Sequence, residues 1–170
     1  MDAFETILTR RSIRKYKKQQ AISEELVQKL LHAAFSAPSA GNQQPWHFVI
    51  LDDRKMLKVI HTFHPSARML TDADKAIIIC GDLHLEKFKG YWMIDCAAAT
   101  ENILLAAHSL GLGACWLGLY PREGRVAGMR KLLRLPAHII PLAIVALGYP
   151  AEIKSKEDRY DQSRVHLNKW

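Results

Sequence analysis

YWMIDCAAATENILLAAHSL, residues 91–110, decides how the rest of the chain must be arranged. The run contains no proline and no glycine, and its apolar residues recur at helical spacing, so it reads as one long helix. Ala97, Ala98 and Ala99 keep it slim, and it is apolar around much of its girth. A helix that is apolar on several sides belongs in the centre of a core or at an interface. Gly111 follows where a left-handed cap would end it. Asp95, Glu101 and Asn102 interrupt the run, so it does not read as a membrane span.

Outward from this helix the chain alternates. Residues 47–51, 76–81, 114–117 and 139–147 are short apolar runs and read as strands. Pro141 within the last suggests a strand start or an edge position. Asp2 and Glu5 form a capping-box start for a first helix, running to about Arg10. Ser23 caps a second, with Ile22 and Val27 placed as a hydrophobic staple, and Leu26, Leu30, Leu31 and Ala34 on its buried face. Pro38 ends it. Residues 53–63 read as a helix, and Pro121 fits the first position of another that ends near Leu133. The order predicts an α+β fold in three layers, a small mixed sheet covered by helices.

The 170 residues, 49% hydrophobic and 24% charged, fit a single globular domain over residues 1–150. Residues 151–170 are mostly polar and charged, with Tyr160, Val165, Leu167 and Trp170 among them, and cannot bury themselves. They are either disordered or laid over another surface, and a partner subunit is such a surface. Cys80, Cys96 and Cys115 lie in apolar runs without CxxC spacing, which argues against a disulfide framework or a zinc site. With an N-terminus lacking the basic and apolar regions of a secretion signal, they point to a cytoplasmic protein. The net charge of +7 calls for an anionic partner, leaving nucleic acid, acidic lipid and a phosphate-bearing cofactor open.

Three stretches can carry chemistry. In Arg10-Arg11-Ser12-Ile13-Arg14, guanidiniums and a hydroxyl are close enough to grip a phosphate and an adjacent polyol. Six of the nine residues 10–18 are Lys or Arg, so a solvated basic face or a nucleic-acid contact competes. The loop Pro38-Ser39-Ala40-Gly41-Asn42-Gln43-Gln44-Pro45-Trp46 can present donors and acceptors to a ring edge, or be a connector rich in turn formers. Gly111–Gly118 follows a helix and precedes a strand, the wrong context for a dinucleotide turn. Its end at Gly118 lets backbone approach a ligand. His61 and His64 sit three apart without a third ligand, so no metal is expected. Asp95 and Glu101 read as cap, salt-bridge or interface residues.

Together RRSIR (10–14), APSAGNQQPWHF (37–48), GLGACWLG (111–118) and DRYDQSRVHLNKW (158–170) resemble the nitroreductase family, over essentially the whole chain. The resemblance implies an intertwined homodimer holding FMN at its interface, with residues 151–170 as an arm over the partner subunit. It implies an NADH- or NADPH-dependent oxidoreductase passing electrons through the flavin N5 to a small organic acceptor such as a nitroarene or quinone. No catalytic side chain, nucleic acid or membrane is then required. Arg10 and Arg159 would hold the phosphate, Ser12 the ribityl chain, and Arg14 would lie near the pyrimidine, with Arg11 assisting. Pro38, Ser39, Ala40 and Asn42 would come from the other subunit, and Trp116, Leu117 and Gly118 would line the flavin. Relatives on this scaffold also perform reductive dehalogenation or enoate reduction, and a non-catalytic flavin-binding protein is a further alternative. The short segment 82–91, where longer members carry extra helical material, and Leu117, where many have an acidic residue, leave the acceptor open.

Overall fold

The computed structural model describes residues 2–170; Met1, at the head of the stretch read for a leader, lies outside them. Five α-helices are found among these residues: α1 Ala3–Thr9, α2 Glu24–Phe35, α3 Arg54–Val59, α4 Trp92–Ser109 and α5 Glu123–Leu133. The strands are β1 Trp46–Leu51, β2 Lys75–Asp82, β3 Gly113–Gly118 and β4 Ile139–Gly148, in the order β1-β2-β4-β3.

The caps read from sequence are made. Asp2 Oδ1 accepts from Glu5 N at 2.8 Å, and Ser23 Oγ accepts from Leu26 N at 3.3 Å. Asp53 caps α3 through Lys55 N and Met56 N. The expected helix 53–63 is α-helical only to Val59 and finishes as a 3₁₀ turn, Ile60–Thr62, followed by a second, Pro65–Thr71. α4 ends before Gly111, which takes φ +75° as expected of a cap glycine.

Two features differ from the sequence reading. The strand pairings β1–β2, β2–β4 and β3–β4 are all antiparallel, not mixed. The crossover through α4 sets β2 and β3 in the same direction, as alternating helices and strands imply. β4 then slots between them and runs against both. The parallel contact among the described residues is an isolated bridge, Ser12 to Ala114. Second, of the two positions expected for Pro141 the structure gives the strand start and not the edge: it is the third residue of a central strand. It is tolerated because the register slips there: Ile79 faces Ala143 while Cys80 faces Pro141, leaving Leu142 as the extra residue of a bulge. The Leu142 carbonyl accepts from both Leu119 N and Tyr120 N, and so fixes the chain leaving β3. α5 begins at Glu123, two residues after Pro121, so that proline precedes the helix instead of opening it.

The three layers follow from strand alternation. Ile77 and Ile79 of β2 with Ala143, Val145 and Leu147 of β4 face α2 and α4. Ala76, Ile78 and Cys80 with Ile144 and Ala146 face α3, α5 and the 3₁₀ turns. Each face therefore has its own core. Gly81 lets α4 close down: a Cβ there would sit 2.3 Å from Trp92 Cε3. The three cysteines are buried and unpaired, and burial pushes the Cys80 thiol up to about 12. No helix among the described residues is long and apolar enough to cross a membrane.

Ile103 of α4 is fully buried against the sheet. Ile103→Ala removes that packing and leaves a cavity. We expect a loss of about 2–5 kcal/mol, read from the urea midpoint by circular dichroism.

Candidate active site

The RRSIR segment leaves α1 in extended form and is stitched to the sheet edge. Ile13 N donates to Ala114 O at 2.9 Å, Lys17 N to Tyr149 O at 2.8 Å, and Ala151 N to Lys15 O at 2.9 Å. Two glycines admit its apolar side chains: Cβ atoms at Gly113 and Gly148 would collide with Ile13 and Tyr16. With Ile13 and Tyr16 turned inward, the arginines between and before them turn out.

Arg10, Arg11 and Arg159 then line one cleft of about 410 Å³, shared with Ile7, Leu8 and Tyr160. Arg10 Nε pairs with Glu101 Oε1 of α4 at 3.4 Å. Arg11 Nη2 and Arg159 Nη2 bind the two oxygens of Glu157 at 2.7 and 2.9 Å. Hydrogen bonds from Arg159 and then Arg11 hold the Glu157 carboxyl below its usual range. A carboxylate forked between two guanidiniums shows that the cleft accommodates an oxyanion. Arg14 is exposed, and its backbone N donates to Glu152 Oε1. Lys154 Nζ donates to Ser12 O at 2.8 Å.

The loop after α2 is built on α4. Asp95, 3% exposed, accepts from Ala40 N at 3.0 Å and from Gln43 Nε2 at 2.6 Å. Gln43 Oε1 in turn accepts from Lys87 N and Phe88 N, tying the loop to segment 82–91. Ser39 Oγ accepts from Gln44 N at 3.0 Å. Gly41 and Asn42 take φ +51° and +54°, which leaves the Asn42 side chain exposed. None of Pro38, Ser39, Ala40 or Asn42 lines the arginine cleft.

At the end of β3, Gly118 has open space where a Cβ would stand. Its carbonyl accepts from Arg125 Nη1 at 2.9 Å and from His64 Nε2 at 3.0 Å. His64 Nε2 also lies 3.3 Å from Arg125 Nη1, and the buried Nδ1 is left without a partner. Burial, then the Arg125 charge, lowers the His64 pKa. Trp116 and Leu117 point to opposite faces of the sheet, and Leu117 is buried in the core beneath α5. What Leu117 can offer a ligand is therefore backbone.

One chain thus brings Arg10, Arg11 and Arg159 together and sets Ser12 beside β3. The Pro38–Asn42 loop and the Trp116–Gly118 strand end stand apart from that cleft.

A family model described as "Nitroreductase family" matches residues 7–80 and 66–149. The chain belongs to the nitroreductase family. A relative from Methanothermobacter thermautotrophicus, provisionally named NADH dehydrogenase/NAD(P)H nitroreductase, is 52% identical over 100% of this chain and 88% of its own length. The crystal structure of a protein of the same provisional name from Parabacteroides distasonis has a TM-score of 0.95 and 42% identity, over 99% of this nitroreductase and 98% of that chain. The crystal structure of a provisionally named nitroreductase in complex with FMN, from Desulfovibrio desulfuricans, has a TM-score of 0.86 and 28% identity, over 100% and 98%.

Several residues of this nitroreductase escape a sequence reading. Asp95 could be singled out only as a charge in an apolar helix; its two loop partners are more than 50 residues away. His64 and Arg125 meet at Gly118 from separate elements, and no spacing announces them. Asp82, His84 and His138 gather at one end of the sheet.

Two measurements check these assignments. Asp95→Ala strands the buried Gln43 amide and the part-buried Ala40 N–H, and should cost about 1–3 kcal/mol in denaturant unfolding. In the fold His64 takes up its proton at lower pH than in the unfolded chain, where it does so near about pH 6.5. Stability should therefore fall as the pH drops through that value, and His64→Gln should flatten that part of a urea-midpoint profile against pH.

Proposed function

We propose that this nitroreductase is an FMN-dependent oxidoreductase that draws electrons from NADH or NADPH and delivers them to a small organic acceptor, a nitroarene or a quinone. The observation that carries this reading is the convergence of Arg10, Arg11 and Arg159, from the two ends of the chain, on one cleft that already holds an oxyanion. The chemistry of that donor set fits a phosphate monoester, and the FMN in the Desulfovibrio desulfuricans structure supplies the family precedent. FMN, when bound, supplies a hydride acceptor at N5 and a store of electrons, so no side-chain acid or base need act on it.

The residues have distinct tasks. Arg10 and Arg159 bind the phosphate and Arg11 assists; Glu101 holds Arg10 in place. Ser12 holds the ribityl chain. Arg14 lies toward the pyrimidine, where its fixed positive charge favours an electron-rich ring. Trp116, Leu117 and Gly118 offer backbone and one indole face. His64 and Arg125 anchor the Gly118 carbonyl and so hold that strand end rigid.

Pro38, Ser39, Ala40 and Asn42 complete the site from a second subunit, with residues 151–170 as an arm over that subunit. A homodimer is supported by the apolar surface that one chain leaves uncovered: Phe4 and Ile7 of α1, Ile94 of α4, and Tyr160, Leu167 and Trp170 of the arm are all exposed. Patches of this kind mark association surfaces.

The test is a visible spectrum of the purified protein, followed by anaerobic reduction with each nicotinamide. A yellow dimer bleached by NADH or NADPH, and reoxidised by a nitroarene or quinone, is expected; a colourless protein that takes up no FMN overturns the reading. Arg159→Ala should weaken FMN about tenfold to a hundredfold in a fluorescence titration.

A further inference from the structure

The end of the sheet where β2 stops and β4 starts carries a set of donors that the flavin chemistry does not use. Asp82 is the last residue of β2, and His138 immediately precedes β4. Leu83 N donates to His138 O at 3.0 Å, so the two backbones are fixed to each other. Asp82 Oδ1 accepts from His84 N at 2.8 Å, a turn that swings the His84 side chain back over the strand end. The His84 and His138 rings stack at 4.0 Å between centroids, 10° from parallel. The ligand atoms of Asp82, His84 and His138 all lie within 4.8 Å of one another.

We propose that Asp82, His84 and His138 bind a divalent first-row transition ion of the zinc type, with water in the remaining position. Two imidazole nitrogens and one carboxylate suit such an ion. Calcium and magnesium, which take six or more oxygens or an octahedron of them, do not fit this set. Tetrahedral bonds of about 2.0–2.1 Å place ligand atoms about 3.3 Å apart. The site must therefore close by roughly 1.5 Å, and because imidazole lone pairs lie in the ring plane, binding requires the stacked His84 and His138 rings to turn out of parallel. Asp82 is already preorganised, at 8% exposure. Burial alone would raise its pKa, but hydrogen bonds from His84 N and His47, and the neighbouring imidazoles, hold its carboxyl below the usual range. His47 Nε2 lies 3.3 Å from Asp82 Oδ2 and orients the carboxylate from behind.

The ion's task is mechanical. It clamps the first turn of segment 82–91 to β4. Further along that segment, Lys87 N and Phe88 N donate to Gln43, and Phe88 packs on Gly41. Ligation thus steadies the support of the Pro38–Asn42 loop.

The experiment is a calorimetric titration with zinc chloride of the untagged, chelator-treated, full-length protein. Saturation at one ion per chain is expected. His84→Ala and His138→Ala should each weaken binding by at least about a hundredfold, and His47→Ala by about tenfold, as outer partners do. His61→Ala, outside the cluster, should leave the isotherm unchanged. His84 is exposed, so its variant should keep the wild-type circular dichroism, which guards against misfolding. No saturable binding, or an isotherm that His84→Ala and His138→Ala leave unaltered, overturns the proposal.

Discussion

The antiparallel pair β2–β4 is covered on both faces, and the rest of the molecule is arranged to satisfy it. Ile77, Ile78 and Ile79 of β2, and Ile144, Val145 and Leu147 of β4, are all fully buried. A strand apolar on both sides needs a helical layer above and below it. α2 and α4 supply one layer, α3, α5 and the 3₁₀ turns the other. Polar groups have no place in the middle of such a sandwich, so function is pushed to strand ends, to edge β3 and to the connecting loops. Every candidate ligand contact described above lies in one of those places.

Charge is organised with the same economy. Where chain start and chain end meet, three guanidiniums are held by carboxylates. Glu101 restrains Arg10, and Glu157 restrains Arg11 and Arg159. Glu152 accepts from the backbone of Arg14 and Lys15. Such partners limit the rotamers that must be frozen when an anionic ligand arrives, and preorganisation of this kind favours binding. Exposed pairs of this sort add little to folding stability itself.

The sequence was most readable where the physics is local. Caps at Asp2 and Ser23, the glycine stop at Gly111 and the four apolar runs involve neighbours along the chain, and the structure realises them. Arg10 and Arg11 of the RRSIR cluster share a cleft with Arg159, a contact between distant segments that only the folded chain displays. Pairing direction was not readable: whether β4 lies between β2 and β3 or outside them depends on which face each crossover packs, not on any single segment. The bulge at Leu142, which excuses Pro141 from the edge, needs the register of two strands to be seen. Asp95 with Gln43, and His64 with Arg125, are tertiary pairs whose partners share no pattern. The histidines at 47, 84 and 138 come from three separate segments and are neighbours only once the sheet forms.

The deep burial of all three thiols has a practical consequence. With Cys80 shifted to about 12 and no cysteine at the surface, the folded protein offers almost no thiolate to electrophiles. Maleimide dyes should ignore the native molecule, so a cysteine engineered into an exposed turn would be the preferred point of attachment for a spectroscopic label, without first deleting the natural ones. The same thiols become a built-in reporter of opening: a reagent that reaches Cys96 requires α4 to have parted from the sheet, and one that reaches Cys80 requires the opposite layer of α3, α5 and the 3₁₀ turns to have lifted.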